Sequence, residues 1–392
     1  MKNVSRILPC YSADTAGVCS ALYELGGLVV THDASGCNST YATHDEPRWY
    51  DMQSKMYISA LTEMDAIMGD DEKFISDVCA AAADQNPEFI AVCGSPMPMM
   101  IGTDFDAAAA EIERRSGIRT FGLHTNGTHS YIGGASEALL DIVKEYVRET
   151  PSKTADGVNI LGMTPLDFPW RGTMESIRTW LAGNGLRLVS CLAMDGAERG
   201  RVTLDEIRQA ASARVNLVVS YSGFAAAEYL RERFGIPYVC GVPYGSLWAE
   251  MLGSELRAAA EGGTVTAGAA GDFGSGMADH SGELVIIGEG IASTALSAAV
   301  FSDTGIRSRV ICPLPVGDNI LPEGSLTVSS EEEIEAALKE LRPERVIADP
   351  LYKYVLPEGT QLVPLPHFAF SGRCFERDMK DIINTDLTEF LT

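Results

Sequence analysis

The chain has 392 residues, more than one compact domain holds at about 100–200 residues each, so two or three domains are expected. Thirty Lys and Arg against 54 Asp and Glu leave a formal charge of −24, which repels phosphate backbones and anionic lipid and argues against nucleic-acid or membrane-surface binding. The 46% hydrophobic and 21% charged residues are globular values, and no apolar run approaches about 18 residues, which removes a transmembrane helix.

From the N-terminus, MKNVSRILPCYSADTAG carries two cations and only a short apolar step, unlike the apolar core of a secretory leader. A cytoplasmic chain is expected. In the first 150 residues GGLVVTH (26–32), FIAVCG (89–94) and TFGLHT (120–125) read as strands. Residues 71–85, 105–117 and 135–149 carry helical periodicity, and the polar stretch 149–157 reads as a linker. A second α/β domain over 156–262 opens with VNILGMTP and alternates strands and helices up to SLWAEMLGSELRAAAE. The Gly-, Ala- and Ser-rich run 262–282 has no apolar periodicity and reads as a linker or loop. A third domain over 283–392 opens with ELVIIGEG and continues through RVICPLP, EEEIEAALKEL, RVIADP and TQLVPLPHFAF. Its last stretch, SGRCFERDMKDIINTDLTEFLT, reads as a C-terminal helix. The fold class is therefore α/β, with three Rossmann-like parallel-sheet domains around a central cleft. Ligands in such sheets bind outside the carboxyl ends of the strands, where Cys37, Cys93, Tyr244, Gly288–Gly290 and His367 fall.

Nine cysteines, an odd number, suit reduced thiols better than a disulfide framework. Cys19, Cys79, Cys191, Cys240 and Cys312 lie in apolar helix faces or strands and read as small core hydrophobes. Cys10, Cys37 (after Gly36) and Cys93 instead fall at element boundaries, where thiolates and backbone N–H groups can hold an iron–sulfur cluster. No C-x-x-C pair is present, and widely spaced single cysteines are a weak signal. Glu63 and Asp65 open an expected helix, where dipole-favoured capping competes with a role in proton transfer. GEGIAS has Ser293 where a dinucleotide fingerprint needs its third glycine or an alanine, and no G-x-x-x-x-G-K-[ST] loop or G-x-S-x-G elbow exists.

Taken in order, PCYSADTAGVCSAL, THDASGC, SALTEMDAIMGDDEK, FIAVCGSPMPMMIGTDFDA, FGIPYVCGVPYG, LVIIGEGIASTALSAAVFSDTG and VPLPHFAFSGR resemble the nitrogenase component 1 family. That family includes nitrogenase molybdenum–iron subunits, the dark-operative protochlorophyllide reductase, cofactor-maturation scaffolds and the nickel-tetrapyrrole reductive cyclase. The resemblance implies an iron–sulfur cluster at a subunit interface, of 4Fe-4S or P-cluster-like type, with Cys10 and Cys37 matching its first two ligands. Cys93 stands three residues upstream of the family's usual third position. It is either a ligand on a shifted loop or a core cysteine, with Cys10 and Cys37 of two subunits supplying four thiolates. His367 resembles the histidine at the far side of the family's cofactor pocket, and a His satisfied by local backbone is the alternative. The pocket's cysteine is replaced at about Ser220 and its arginines are absent from GEGIAST, which argues against a molybdenum cofactor and nitrogen fixation.

The resemblance thus implies an oxidoreductase, a homodimer or paired homologous subunit that takes low-potential electrons from a separate ATP-dependent P-loop iron–sulfur reductase. These would pass to a small molecule, tetrapyrrole or metal cofactor in the cleft. A non-catalytic scaffold or carrier for cluster assembly is the alternative, and a small-molecule binder without a cluster is a more distant one.

Overall fold

The computed structural model describes residues 7, 11–69, 71–150, 152–195, 201–262 and 284–391. Cys10 and all but the first residue of the 262–282 run lie outside the described residues.

Three parallel sheets follow one another along the chain. The first is built from β1 (Leu28–His32), β2 (Met56–Ile58), β3 (Ile90–Gly94) and β4 (Thr120–Leu123), in the order β2-β1-β3-β4. β1 and β3 are buried along their whole length, which is what β-branched runs do when helices cover both faces of a parallel sheet. Its helices are α1 (Asp14–Leu22), α2 (Glu63–Met68), α3 (Asp71–Gln85), α4 (Pro96–Ile101), α5 (Phe105–Ser116) and α6 (Tyr131–Tyr146). α1 crosses α6 backbone to backbone. A Cβ on Gly17 would lie 2.0 Å from the Tyr131 carbonyl oxygen, and one on Gly134 would lie 2.0 Å from that of Asp14, so only glycine fits at either place.

The second sheet runs β6-β5-β7-β8, from β5 (Gly157–Leu161), β6 (Arg187–Cys191), β7 (Val215–Val218) and β8 (Tyr238–Cys240). Helices α7 (Thr173–Gly183), α8 (Leu204–Arg208), α9 (Phe224–Phe234) and α10 (Leu247–Ala260) accompany it. The third runs β11-β10-β9-β12-β13, from β9 (Leu284–Ile287), β10 (Arg309–Cys312), β11 (Leu326–Thr327), β12 (Arg345–Ala348) and β13 (Gln361–Pro364). It carries α11 (Gly290–Thr304), α12 (Glu331–Leu341) and the short α13 (Phe368–Ser371). The sheets do not stand apart. Leu139 and Ile142 of α6 share one core with Ala226 and Leu230 of α9, and Leu252 of α10 shares another with Ala295 and Ala299 of α11.

The expected C-terminal helix does not form. After α13 the chain makes a short 3₁₀ stretch over Gly372–Asp378 and then runs irregularly. Its apolar residues Ile382, Ile383, Leu387 and Leu391 are all buried in the core shared by the second and third sheets, even though 383, 387 and 391 keep the i, i+4, i+8 spacing of a helix face. The segment is pinned instead by Gly245 N–H to the Ile382 carbonyl (3.3 Å), Asn384 N–H to the Pro243 carbonyl (2.7 Å) and a left-handed Asn384.

Candidate functional site

In each sheet the strand order reverses beside the first strand, and the crevice beyond the carboxyl ends at such a point is the natural ligand position. The reversals fall between β1 and β3, between β5 and β7, and between β9 and β12. The loops that leave these ends make two different places.

The second and third sheets converge on a buried polar cluster. Asp167 follows β5, Ser220 follows β7, Glu289 follows β9 and His367 follows β13, while Tyr131 reaches in from the first turn of α6. Oδ1 of Asp167 accepts from the Tyr131 phenol and stands 2.9 Å from Nε2 of His367; Oδ2 accepts from the Ser220 hydroxyl at 2.8 Å. The His367 side chain is 12% exposed and that of Asp167 1%. The His367 backbone N–H donates to Asp349 at 2.8 Å, and the Tyr11 ring packs against the imidazole at 5.1 Å between centroids. The ring is thus fixed by a carboxylate 200 residues away rather than by local backbone. Sequence elements on all three sheets meet in this one cluster.

Glu289 caps α11. One oxygen accepts from the Ala292 N–H and the other from the Tyr221 N–H, each at 2.8 Å. Among the described residues no side-chain cation is paired with it. Burial, then the neighbouring Asp167 carboxylate, push its carboxyl up to about 7. Asp167, Thr173, Tyr244, Glu289 and His367 line a cavity of about 70 Å³ together with apolar residues that include Ile286 and Leu296. The Thr173 hydroxyl is buried there with no hydrogen-bond partner.

Three positions expected at strand ends, Tyr244, Gly288 and His367, do line this cavity. The Gly288–Gly290 turn does not present free N–H groups to a pyrophosphate, because the Glu289 carboxylate already occupies the helix start. Asp167, Tyr131, Thr173 and Glu289 were not legible as a set. Glu289 alone carried a signal, an acid between two glycines at a strand end.

The crevice of the first sheet is different. Gly36 and Cys37 are exposed on the turn-rich loop after β1, where a Cβ on Gly36 would touch nothing within 4 Å and the Cys37 N–H donates to the Ala34 carbonyl at 3.1 Å. Cys93 is the next-to-last residue of β3, at 0% exposure within the apolar core and 3.6 Å from the Thr31 hydroxyl, and burial raises its thiol to about 12. The loop beyond Cys37 is tied to the second sheet by Arg48. Its fully buried guanidinium donates to Glu46 (2.7 and 2.9 Å), to Glu24 (3.1 Å) and to the Ser20 and Ala193 carbonyls (2.8 and 3.1 Å). A second exposed thiol, Cys374, sits beside Arg373, which pairs with Asp45 of the same loop at 3.6 Å. Reading the sequence did not single it out.

Asp65 and Thr62 form a reciprocal cap on α2, at 3.0 and 3.2 Å, and these bonds, with Lys73 at 3.5 Å, hold the Asp65 carboxyl below its ordinary range. Glu63 is exposed on the same turn. Beside them Met64, Ile67 and Met68 of α2 and Met99, Met100 and Ile101 of α4 stand out into solvent. Among the described residues no group of three or more His, Cys, Asp and Glu is placed to hold a metal ion, and no helix is long and apolar enough to cross a membrane.

Residues 15–261 match the family model for nitrogenase component 1 type oxidoreductases. A light-independent protochlorophyllide reductase subunit of Prosthecochloris aestuarii is 30% identical over 165 residues, 41% of this chain and 29% of that one. The nitrogenase iron-molybdenum cofactor biosynthesis protein NifE of Bradyrhizobium diazoefficiens is 26% identical over 199 residues, 50% of this chain and 35% of that one. The nitrogenase molybdenum-iron protein alpha chain of Methanosarcina barkeri is 24% identical over 185 residues, 46% of this chain and 33% of that one. The chain thus spans about a third of the length of these curated relatives. A solved structure described as nitrogenase Cp1 at pH 6.5 shares the fold, with a TM-score of 0.70 at 17% identity over 95% of this chain and 89% of the other. By its family model and its three parallel sheets, the chain belongs to the nitrogenase component 1 type oxidoreductases.

Proposed function

We propose that this protein is the component 1-type subunit of a nitrogenase-like reductase. It takes low-potential electrons from a separate ATP-dependent P-loop iron–sulfur protein at the first sheet and delivers them to a substrate held at the junction of the three sheets. The observation that carries the reading is the Asp167–His367–Tyr131–Ser220–Glu289 cluster, assembled from all three sheets around one cavity inside a component 1 fold.

The family implies an iron–sulfur cluster, and the cysteines differ in how well they suit it. Cys37 suits a ligand, being an exposed thiol on a boundary loop. Cys93 does not, since a thiolate there would ionise inside hydrocarbon. With Cys10 outside the described residues, the proposed set is Cys10 and Cys37 from each of two chains. When bound, such a cluster supplies electrons one at a time at a potential set by its surroundings. This chain's residues hold its loop through Arg48, and the exposed Met64–Met68 and Met99–Ile101 patch gives a second component 1-type chain an apolar surface to cover it.

At the junction, the Ser220 hydroxyl is committed to Asp167 and the cavity is about 70 Å³, so these residues do not fit a molybdenum cofactor with its organic acid. The similarity to a cofactor biosynthesis protein keeps a scaffold for cluster assembly as the second reading. Anaerobically purified protein should be brown and carry roughly 4 irons per dimer, with a reduced-cluster EPR signal. Colourless, iron-free protein overturns the proposal. Iron that transfers to an acceptor protein without consumption of reductant supports the scaffold instead.

A further inference from the structure

The junction cavity carries information about its ligand beyond its place in the fold. Its volume of about 70 Å³ holds roughly five non-hydrogen atoms, at about 10–15 Å³ for each water-sized group. The charges around it do not balance. Asp167 has its oxygens occupied by Tyr131, His367 and Ser220, whereas Glu289 is 3% exposed and is met only by backbone N–H groups. No arginine lines the space, and Lys380, at its edge, is exposed with its ammonium over the Phe390 ring at 5.7 Å. A buried carboxylate without a counter-charge is costly and is relieved by a cation that brings hydrogen-bond donors. An independent observation concerns another residue of the lining. Thr173 is 1% exposed, lines the same cavity, and its hydroxyl has no partner, a loss of about 1–3 kcal/mol unless a ligand completes it.

We propose that the cavity between Glu289 and Thr173 is a binding site for a small planar amidinium-class molecule, whose N–H groups donate to the Glu289 carboxylate and which bonds the Thr173 hydroxyl. The Asp167–His367 pair lines the same cavity, as do the apolar Ile286 and Leu296. Identifying such a molecule with the reductase's substrate class rests on the function proposed above; the binding itself does not.

Three molecules of one shape and different charge test it: acetamidinium, acetamide and acetate, titrated calorimetrically into the purified full chain at pH 7.5. Acetamidinium is expected to bind about tenfold or more tighter than acetamide, with no binding of acetate. Glu289→Gln should erase the preference for the cation. That change also removes one capping acceptor, so Thr173→Val serves as the second variant. It is close in shape and breaks no internal hydrogen bond, so the protein should fold with an equal or higher melting temperature and bind acetamidinium about threefold to tenfold more weakly. Acetate binding as well as acetamidinium, or wild-type affinity in Thr173→Val, overturns the site. Iron is measured on the same preparation. Charge discrimination without iron leaves this site standing and removes the reductase reading, and iron without discrimination does the reverse.

Discussion

Two crevices at the carboxyl ends of parallel sheets have been put to opposite uses. At the first sheet, the loop after β1 leaves Cys37 in solvent, and α2 and α4 expose a row of methionines. At the second and third sheets, the corresponding loops meet and bury the Asp167 carboxylate with an imidazole, a phenol and a hydroxyl in one hydrogen-bonded cluster, with the Glu289 carboxylate lining the same cavity. An exposed thiol can meet another chain but cannot shape a substrate. A buried, fully framed acid can do the second and not the first. On the function proposed above, the outer crevice is where electrons arrive and the inner one is where they are used.

The largest effect should come from Cys37→Ala. If the first crevice holds the cluster, this change removes essentially all iron from anaerobically prepared protein. Because the side chain is exposed, it should leave the stability within about 0.5 kcal/mol. Retention of full iron content would break the comparison at its outer end.

Next in size is Arg48→Met. The guanidinium is the only group that neutralises Glu24 and Glu46 together at the seam between the Cys37 loop and the second sheet, among the described residues. Removing it strands two buried carboxylates, so denaturant unfolding should show a loss of about 3–5 kcal/mol. The Cys37-bearing loop should also become sensitive to limited proteolysis. A loss below about 1 kcal/mol would mean the loop is held by something else.

How much of this was legible in the sequence follows from the same contrast. Runs such as LVVTH, IAVCG and LVII read as strands because two-sided burial requires unbroken apolar, β-branched stretches, and the periodicity of EEEIEAALKEL gives α12 to the residue. β2 was missed because three residues at a half-exposed edge carry no pattern. The C-terminal segment was misread because Ile382, Ile383, Leu387 and Leu391 look apolar enough for a helix, while the partners that fix them, Pro243 and Gly245, lie about 140 residues upstream. The junction cluster failed to show for the same reason. Asp167 in TPLDFPW is an ordinary loop acid until the chain brings Tyr131 and His367 to it. Motif resemblance pointed to His367 but not to the carboxylate that orients it.

The third test concerns pH. Glu289 ordinarily titrates near 4.5 and is raised to about 7 in the fold, so the native state holds a proton that the unfolded chain has released. Its contribution is complete below about 4.5 and is lost as pH rises through about 7. His32 works in the opposite direction. Burial lowers it from 6.5 to about 4, so its contribution is present above about 6.5 and is lost as pH falls through about 4. Facing Glu289 are Asp167, Tyr131, Tyr244, Cys240 and Cys312. The phenols and thiols are all raised by burial and stay neutral in this window, which leaves Asp167 as the charge Glu289 opposes. Glu289→Gln should flatten the loss of stability between about pH 5 and 7 by an amount on the order of 1–3 kcal/mol, read from urea melts across that range. An unchanged slope would mean the second crevice does not hold its acid as a buried pair.

The smallest effect is also the sharpest divider. Cys93 lies one crevice-lip away from the exposed loop in sequence logic, yet its sulfur packs among Val29, Ala91 and Leu123 with no solvent contact. Cys93→Ala should cost about 1 kcal/mol, the price of one buried heavy atom whose space the core partly closes, and the cluster's iron content and EPR signal should not change. Cys374→Ala, a change at an exposed thiol tethered to the Cys37 loop, serves as the control for surface cysteines in general. If Cys93→Ala removes iron while Cys374→Ala does not, then burial has been the wrong guide to ligation in this fold. The thiol that burial pushes up to about 12 would then have to leave the core to ligate, and the division between an exposed outer crevice and a buried inner one would fail at β3.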